Sequence, residues 1–310
     1  MNEQALPDDT IAWVLAAHDG LEIVDSHVEA LSGGTVAARI ARIDVCVRAR
    51  GGDRIVRLVR KWTWRHEVLG LKAAQSVQRR APAIPLLIAY GHDNSGWWLI
   101  TPFYEGAGVE ARRIPTLVFE SLAHLHARYA NDWKELRGIP VIDADWWEEL
   151  CLAYAMPMLD RQAATRPTAS LQRARELLVN VARDKAVADV LIRLPKALLH
   201  GDVHPGNVIA STSGDGYLID WGSARIGAPM LDLANVTTPE TEHFAAYRRT
   251  WERLTGLTLN PYDVDLQYAW CALQIPIQYL PWQIENQSAD AVKTALDRAD
   301  QALEKLRARV

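Results

Sequence analysis

Cysteine is scarce in this chain. Its three residues, Cys46, Cys151 and Cys271, are odd in number, far apart and free of any Cys-x-x-Cys spacing. That excludes a disulfide framework and a thiolate zinc site, and it points to a reducing compartment, the cytoplasm. An excess of basic charge is missing too. With a formal net charge of -4, the surface has no field that would gather nucleic acid or an anionic membrane, so neither is expected as a partner. Long apolar runs are absent: the nearest, "YAWCALQIPIQYLPW" at 268–282, is broken by Gln and Pro and reads as core rather than as a bilayer span. The opening "MNEQALPDDT" is acidic and polar where a secretory leader would be basic and then apolar. Gly and Pro, 18 and 15 residues of 310, are too few for extensive disorder, and no internal repeat or low-complexity linker is found.

What is present is an ordinary globular balance, 49% hydrophobic and 23% charged, at a length suited to one large two-lobed unit or two domains. The first third reads mostly as β. Ile43, Val45 and Val47 share a face, "RGGD" supplies a turn, and Ile55 to Val59 return, which predicts a hairpin. "LSGGTVAARI" just upstream predicts a further strand after a double-Gly turn. Trp64, Val68 and Leu71 follow at helical spacing, and "GWWLITPFYEG" is an apolar strand that ends at Pro102 and Gly106. Beyond Gly106 the texture turns helical: Val118, Leu122, Leu125 and Tyr129 repeat at helical intervals, as do Val292, Leu296, Ala299, Leu303, Leu306 and Val310. The expected division is residues 1–105 and 106–310.

One β element interrupts the helical part, and it is crowded with polar groups: "HGDVHPGNVIASTSGDGYLIDWG" at 200–222. "NVIAS" and "YLID" flank the turn-forming "TSGDG", a predicted hairpin. With the turn centred between Ser213 and Gly214, Asn207 and Asp220 are cross-strand partners, their Cβ atoms about 5 Å apart. An amide oxygen and a carboxylate converging there make an oxygen-only site for a hard cation such as Mg²⁺. Asp202 lies five residues before Asn207, in a loop kept irregular by Pro205 and Gly206. A carboxylate in that place can take the proton of an attacking hydroxyl while the ion neutralises a transferring phosphoryl group.

"HGDVHPGNV" followed by "IDWG" resembles the H-G-D-x-x-x-x-N and I-D-[WF]-[GE] pair of the aminoglycoside phosphotransferase and choline kinase-like family, relatives of the protein kinases. "GAPMLDLA" at 227–234 is similar to that family's continuation G-x-P-x-x-D-L-A. The resemblance implies an α+β, two-lobed protein kinase-like fold with a small antiparallel-sheet N-lobe and a larger, mostly helical C-lobe. It implies Asp202 as catalytic base, Asn207 and Asp220 as Mg²⁺ ligands, His200 as a supporting residue, and ATP or GTP as co-substrate. More weakly, "LSGGT" resembles the nucleotide loop, with Gly33 and Gly34 letting backbone N–H groups approach phosphates. "IVRLV" resembles the strand of the phosphate-binding Lys, where this chain has Arg57; Lys61, two steps along the same face, competes for the role. Glu67 is the implied ion-pair partner. "LITPFYEG" resembles the linker between lobes, whose Pro102 C=O and Tyr104 N–H would meet the nucleotide base, and "FESLAHLHA" looks like the family helix ending in Leu-His.

Other readings compete for some of these residues. Asp and Asn in a hairpin commonly cap backbone groups, and His200 with His204 suggests a metallohydrolase, although only His243 lies downstream to complete such a site. "GAGVEA" at 106–111 imitates a dinucleotide fingerprint but is interrupted by Pro102 before it and Pro115 after it. His124 and His126 read as packed or solvated helix residues. For the acceptor, "DADWWEEL", "TPETEH" and "WQIENQSAD" offer carboxylates for a cationic aminoglycoside, while the rings of 268–282 offer a cage for choline; Trp146, Trp147, Trp270 and Trp282 lie in the variable helical part where, by the resemblance, the acceptor pocket is built. The resemblance favours phosphoryl transfer to a hydroxyl of an aminoglycoside-like or other antibiotic. A kinase of choline, homoserine or a sugar is the alternative, with a catalytically silent nucleotide-binding relative and a metal-dependent phosphohydrolase behind it.

Overall fold

The computed structural model describes residues 6–31, 39–165, 168–211 and 214–309. The first elements are α1 (Asp8–Ala17), β1 (Gly20–Leu31), β2 (Ile40–Ala49), β3 (Gly52–Thr63), α2 (Arg65–Ala74), β4 (Ala89–Asp93), β5 (Gly96–Pro102), β6 (Ala107–Gly108) and α3 (Thr116–Tyr129). Next comes α4 (Ala144–Glu148), which passes through a π-helical stretch (Glu149–Ala155) into α5 (Met156–Thr165). They are followed by α6 (Ala169–Ala182), α7 (Lys185–Arg193), β7 (Ala197–Leu199), β8 (Val208–Ala210), β9 (Gly216–Leu218) and β10 (Arg225–Gly227). The chain closes with α8 (Glu242–Thr255), α9 (Pro261–Asn286) and α10 (Ala289–Arg307). An antiparallel-sheet N-terminal region thus precedes a mostly helical remainder, as expected.

Contacts group the chain into two units, one made of residues 1–125, 136–139 and 200–224, the other of 126–135, 140–199 and 225–310. The division differs from a single cut near Gly106, because residues 200–224 fold with the first unit. The physical reason is hydrogen bonding: β8 pairs antiparallel with both β6 and β9, and Leu218 N donates to Ala83 O at 2.8 Å.

In the first unit β1 to β5 form one antiparallel sheet in the order β1-β2-β3-β5-β4. Alternation governs it. Ile43, Val45 and Val47 of β2 and Val56 and Leu58 of β3 face a core that also takes Val14 of α1, Ala89 and Ile100. The opposite face of β3 therefore carries Arg57, Val59, Lys61 and Thr63, which is what places Lys61 beside α2. The Arg50-Gly51 loop closes the β2–β3 hairpin at the Ala49–Gly52 pair. Sequence reading misses α1 and β1; β1 mixes Leu21, Val24 and Val28 with Glu22, Asp25, His27 and Glu29 and is exposed on both faces for most of its length, so it has no period of two. The strand predicted over 31–40 falls largely on residues outside those described, with only Leu31 in β1 and Ile40 in β2.

The second unit is helical around Trp147, Trp270, Leu159, Leu177, Leu178 and Leu273, all nearly fully buried. Trp147 meets Trp270 edge to face at 5.0 Å and donates its indole N–H to Val181 O at 2.9 Å. The segment 268–282 lies within α9, which continues through Pro276 and Pro281; most of it is buried or half-buried, as its broken apolar run implies, while Ala272 and Trp282 are exposed. His126 is packed, as read from its helix. Fully buried, it bridges Asp232 (Nε2 to Oδ2, 3.1 Å) and the Tyr247 hydroxyl (Nδ1 to Oη, 3.0 Å). That explains the Asp of "GAPMLDLA": a buried carboxylate needs a partner, and this one has an imidazole. Among the described residues no helix is long and apolar enough to cross a membrane.

Candidate active site

Lys61 is the hub of the polar cluster in the first unit. Its Nζ lies 2.8 Å from Glu67 Oε1 and 2.7 Å from Asp220 Oδ1, with the Lys61 side chain 12% and that of Glu67 3% exposed. Thr63, on the same face of β3 as Lys61, donates its hydroxyl to the other oxygen of Glu67. Burial works to lower the Lys61 ammonium, but the charges of Glu67 and Asp220 and their hydrogen bonds outweigh it and hold its pKa above the ordinary lysine range. For Asp220 partial burial pushes the carboxyl up, yet the Lys61 charge and hydrogen bond, the nearby His200 and the Gly222 N–H together hold it below the ordinary carboxylate range. Asp220 is thus fixed as an anion, the form a cation requires.

The backbone at Asp220 is unusual. Its φ of 61° and ψ of 73° are left-handed, a region that Asp and Asn tolerate because the short side chain bonds locally. Here Oδ1 accepts from Gly222 N at 3.4 Å, and Trp221, 1% exposed, anchors the turn by donating its indole N–H to Leu218 O at 2.9 Å. The expected hairpin exists, but its register is one residue off. Val208 pairs with Leu218 and Ile219 N donates to Asn207 O, so Asn207 stands opposite Ile219, and Asp220 is not its cross-strand partner. In a regular strand this offset would send Asp220 to the other face; at Asp220 the backbone leaves the strand region for the left-handed one. Of the expected turn centre, Ser213 lies outside the described residues.

Asp202 and Asn207 share one loop. Asn207, 7% exposed, donates Nδ2 to Asp202 O at 2.9 Å and to Asp202 Oδ2 at 3.3 Å. Because both acceptors are oxygens, the amide orientation is set, and Oδ1 is the atom it offers to a cation. The donors fit Mg²⁺ on chemical grounds: a fixed amide oxygen and an ionised carboxylate are hard oxygen ligands. His200, fully buried, lies with Nε2 2.9 Å from Ile219 O, accepts from Asp202 N at Nδ1 (3.3 Å) and meets Trp221 edge to face. It ties the loop to the hairpin, a supporting role. His204 caps the turn over Pro205–Asn207, its Nδ1 accepting from Gly206 N at 3.0 Å. Both imidazoles are engaged with backbone, and among the described residues no group of three or more His, Cys, Asp or Glu side chains is arranged to hold a metal ion.

The remaining expected residues divide. Arg57 does not approach Glu67; it forms an exposed ion pair with Glu105. The correction has a simple cause, since Arg57 sits four residues, about 13 Å, from Lys61 along the strand, at the end away from α2. Pro102 ends β5 opposite Leu58, and because Phe103 N donates to Arg57 O, Pro102 occupies a non-hydrogen-bonded position with its C=O turned away from β3. Tyr104 follows it, its ring stacked on Tyr217 at 3.9 Å and its hydroxyl accepting from Leu86 N at 2.8 Å; burial and the neighbouring Tyr217 push its pKa up to about 12 despite the Leu86 bond. Gly33 and Gly34 lie outside the described residues. Sequence reading did not single out Thr63 or His66. Thr63 has a signal, being two residues past Lys61 on one strand face and four before Glu67. His66 has none, since its Nε2 lies 2.7 Å from Gly222 O, a partner 156 positions away.

The profile of a phosphotransferase enzyme family matches residues 44–264 of this chain. No curated protein matches it. Among solved structures, a choline kinase, LicA, from Streptococcus pneumoniae aligns over 96% of this chain and 97% of its own at 17% identity, with a TM-score of 0.52. An ethanolamine kinase from Plasmodium vivax aligns over 92% of this chain and 83% of its own at 13% identity, also with a TM-score of 0.52. A spectinomycin phosphotransferase, APH(9)-Ia, solved with ADP and spectinomycin, aligns over 96% and 95% at 10% identity and a TM-score of 0.50. At these identities the likeness is one of fold.

Proposed function

The chain belongs to the phosphotransferase enzyme family, and from that premise we propose that it is an O-phosphotransferase that uses ATP or GTP to phosphorylate a hydroxyl of an aminoglycoside-like or other antibiotic. The observation that carries this reading is the Lys61 hub, one ammonium held between Glu67 and Asp220 in the same unit as the Asp202–Asn207 loop.

In this reading Asp202 accepts the proton of the acceptor hydroxyl as the hydroxyl oxygen attacks the terminal phosphorus of the nucleotide, whose bond to the bridging oxygen breaks so that the nucleoside diphosphate leaves. Lys61, kept charged and aimed by Glu67, holds phosphate oxygens. Asn207 Oδ1 and the Asp220 carboxylate hold Mg²⁺, which when bound supplies positive charge against the phosphoryl group in transfer. Pro102 C=O and the Tyr104 N–H receive the base; the phosphate-loop role read for Gly33 and Gly34 falls outside the described residues. Asn207 does double duty, because its Nδ2 also fixes the Asp202 carboxylate.

For the acceptor, two features weigh against a choline cage built from 268–282. Trp270 is fully buried against Trp147, and the Tyr268 hydroxyl donates to Thr237 O at 3.3 Å. Part of the acidic alternative is also committed elsewhere, since Asp143 caps α4 and Glu148 pairs with Arg183. Of "DADWWEEL", Asp145 and Glu149 remain as carboxylates for a cationic acceptor, beside those of "TPETEH" and "WQIENQSAD". The test is a nucleotide-consumption screen with Mg²⁺ across antibiotics, nucleosides, sugars and amino alcohols. Consumption that requires an antibiotic is the expected result. Phosphate release from phosphoesters without nucleotide would replace this reading with a hydrolase, and nucleotide binding with no turnover on any acceptor would replace it with a silent relative.

A further inference from the structure

The carboxylate of Asp220 that would hold a cation already takes the Lys61 ammonium. Lys61 Nζ sits on Asp220 Oδ1 at 2.7 Å, and the same oxygen receives the Gly222 N–H at 3.4 Å. A cation bound there would draw on the charge that now answers Lys61, one of the contacts that hold the left-handed turn at Asp220 in a sparsely populated backbone region.

One hold on this turn bypasses the carboxylate. His66 Nε2 lies 2.7 Å from Gly222 O, and since a carbonyl only accepts, Nε2 carries the proton. His66 and Glu67 are consecutive residues in the first turn of α2, and they reach the Asp220 turn by separate routes: Glu67 through Lys61, His66 through backbone. The helix is also seated closely on this segment, because a Cβ at Gly70 would meet the Ala224 Cβ at 2.4 Å. We propose that His66 is a positioning residue that keeps the Asp220–Gly222 turn in its left-handed form when Asp220 takes Mg²⁺. This rests on the reading of Asp220 as a metal ligand. The Glu67 route runs through the carboxylate that the ion would occupy and the His66 route does not, so the contribution of His66 is largest in the metal-bound state.

The test is calorimetric titration of the full chain with ADP, with and without Mg²⁺. His66→Ala is expected to weaken Mg²⁺-dependent ADP binding about tenfold while metal-free ADP affinity stays within about twofold. His66→Gln carries an N–H donor at similar reach and is expected to restore Mg²⁺-dependent binding to within about threefold of the parent. A His66→Ala variant that binds Mg²⁺ and ADP like the parent overturns the proposal. So does one that loses both affinities and thermal stability together and is not rescued by Gln, because that residue merely packs. Asp220→Ala in the same titration separates the two levels: if the parent and this variant respond to Mg²⁺ alike, the ligand reading itself falls and the proposal falls with it.

Discussion

Lys61 places one positive charge between two carboxylates, with Glu67 nearly buried and Asp220 half exposed. The two partners therefore differ in what they lose when Lys61 is removed. Water can solvate Asp220, but Glu67 would be left as a buried anion with, among the described residues, only the Thr63 hydroxyl to answer it. Lys61→Met is expected to destabilise the fold by about 3 kcal/mol, the usual scale for stranding one half of a buried pair. Adding Glu67→Gln should recover most of that loss, because the stranded charge is gone. Denaturant midpoints of the two variants read this directly, and a double variant no more stable than the single would refute it. Legibility at this scale followed chemistry that repeats in sequence. Asp202, Asn207, Asp220 and Glu67 stood out by motif and spacing, and all four lie in the first unit. Arg57 and Lys61 share a strand face, and only the distance along β3 to α2 separated them, a quantity that pattern alone does not carry. His66 was illegible because its partner is a backbone oxygen, and every residue offers one.

At the scale of elements, α2 joins the β3 chemistry to the turn after β9. Its Gly70 is there for close approach: with Ala the Cβ would stand 2.4 Å from the Ala224 Cβ, well inside contact distance. Gly70→Ala is expected to cost about 1–3 kcal/mol by overpacking, more than the ~1 kcal/mol that Ala gains over Gly inside a helix. Because the helix must lift, Mg²⁺-dependent nucleotide binding should weaken as well. Ala224→Gly added to it returns the space and should recover both. Thermal melts with the ADP titration check this, and a Gly70→Ala variant more stable than the parent would show that the seat is looser than described. The β2–β3 hairpin was legible from alternation and turn residues and closes where its sequence says, whereas β4, the partner of β5, was not read. The 208–218 hairpin was legible in kind but not in register. A slip of one residue is invisible to a pattern whose turn accepts either alignment.

For the whole molecule, the order of textures along the chain, β first and helical after, foretold the class of fold. It did not foretell which residues would fold together. The segment 200–224 reads as a β island in the helical part, yet its strands complete hydrogen bonds with β6 and Ala83 and so join the first unit. Helical spacing foretold the buried helical core, and of the two readings of His126, packed or solvated, the structure has the packed one, with partners Asp232 and Tyr247 more than a hundred positions away. The acceptor stays least legible, because rings and carboxylates that look available in sequence are spent on packing and caps, as with Trp270 and Asp143. The most direct measurement is turnover of the full chain with Mg²⁺ and nucleotide on its acceptor, compared with Asp202→Asn. Loss of a general base is expected to lower kcat by about 10²–10⁴ while ADP affinity stays near that of the parent. Near-parental turnover by Asp202→Asn would contradict the account at its centre.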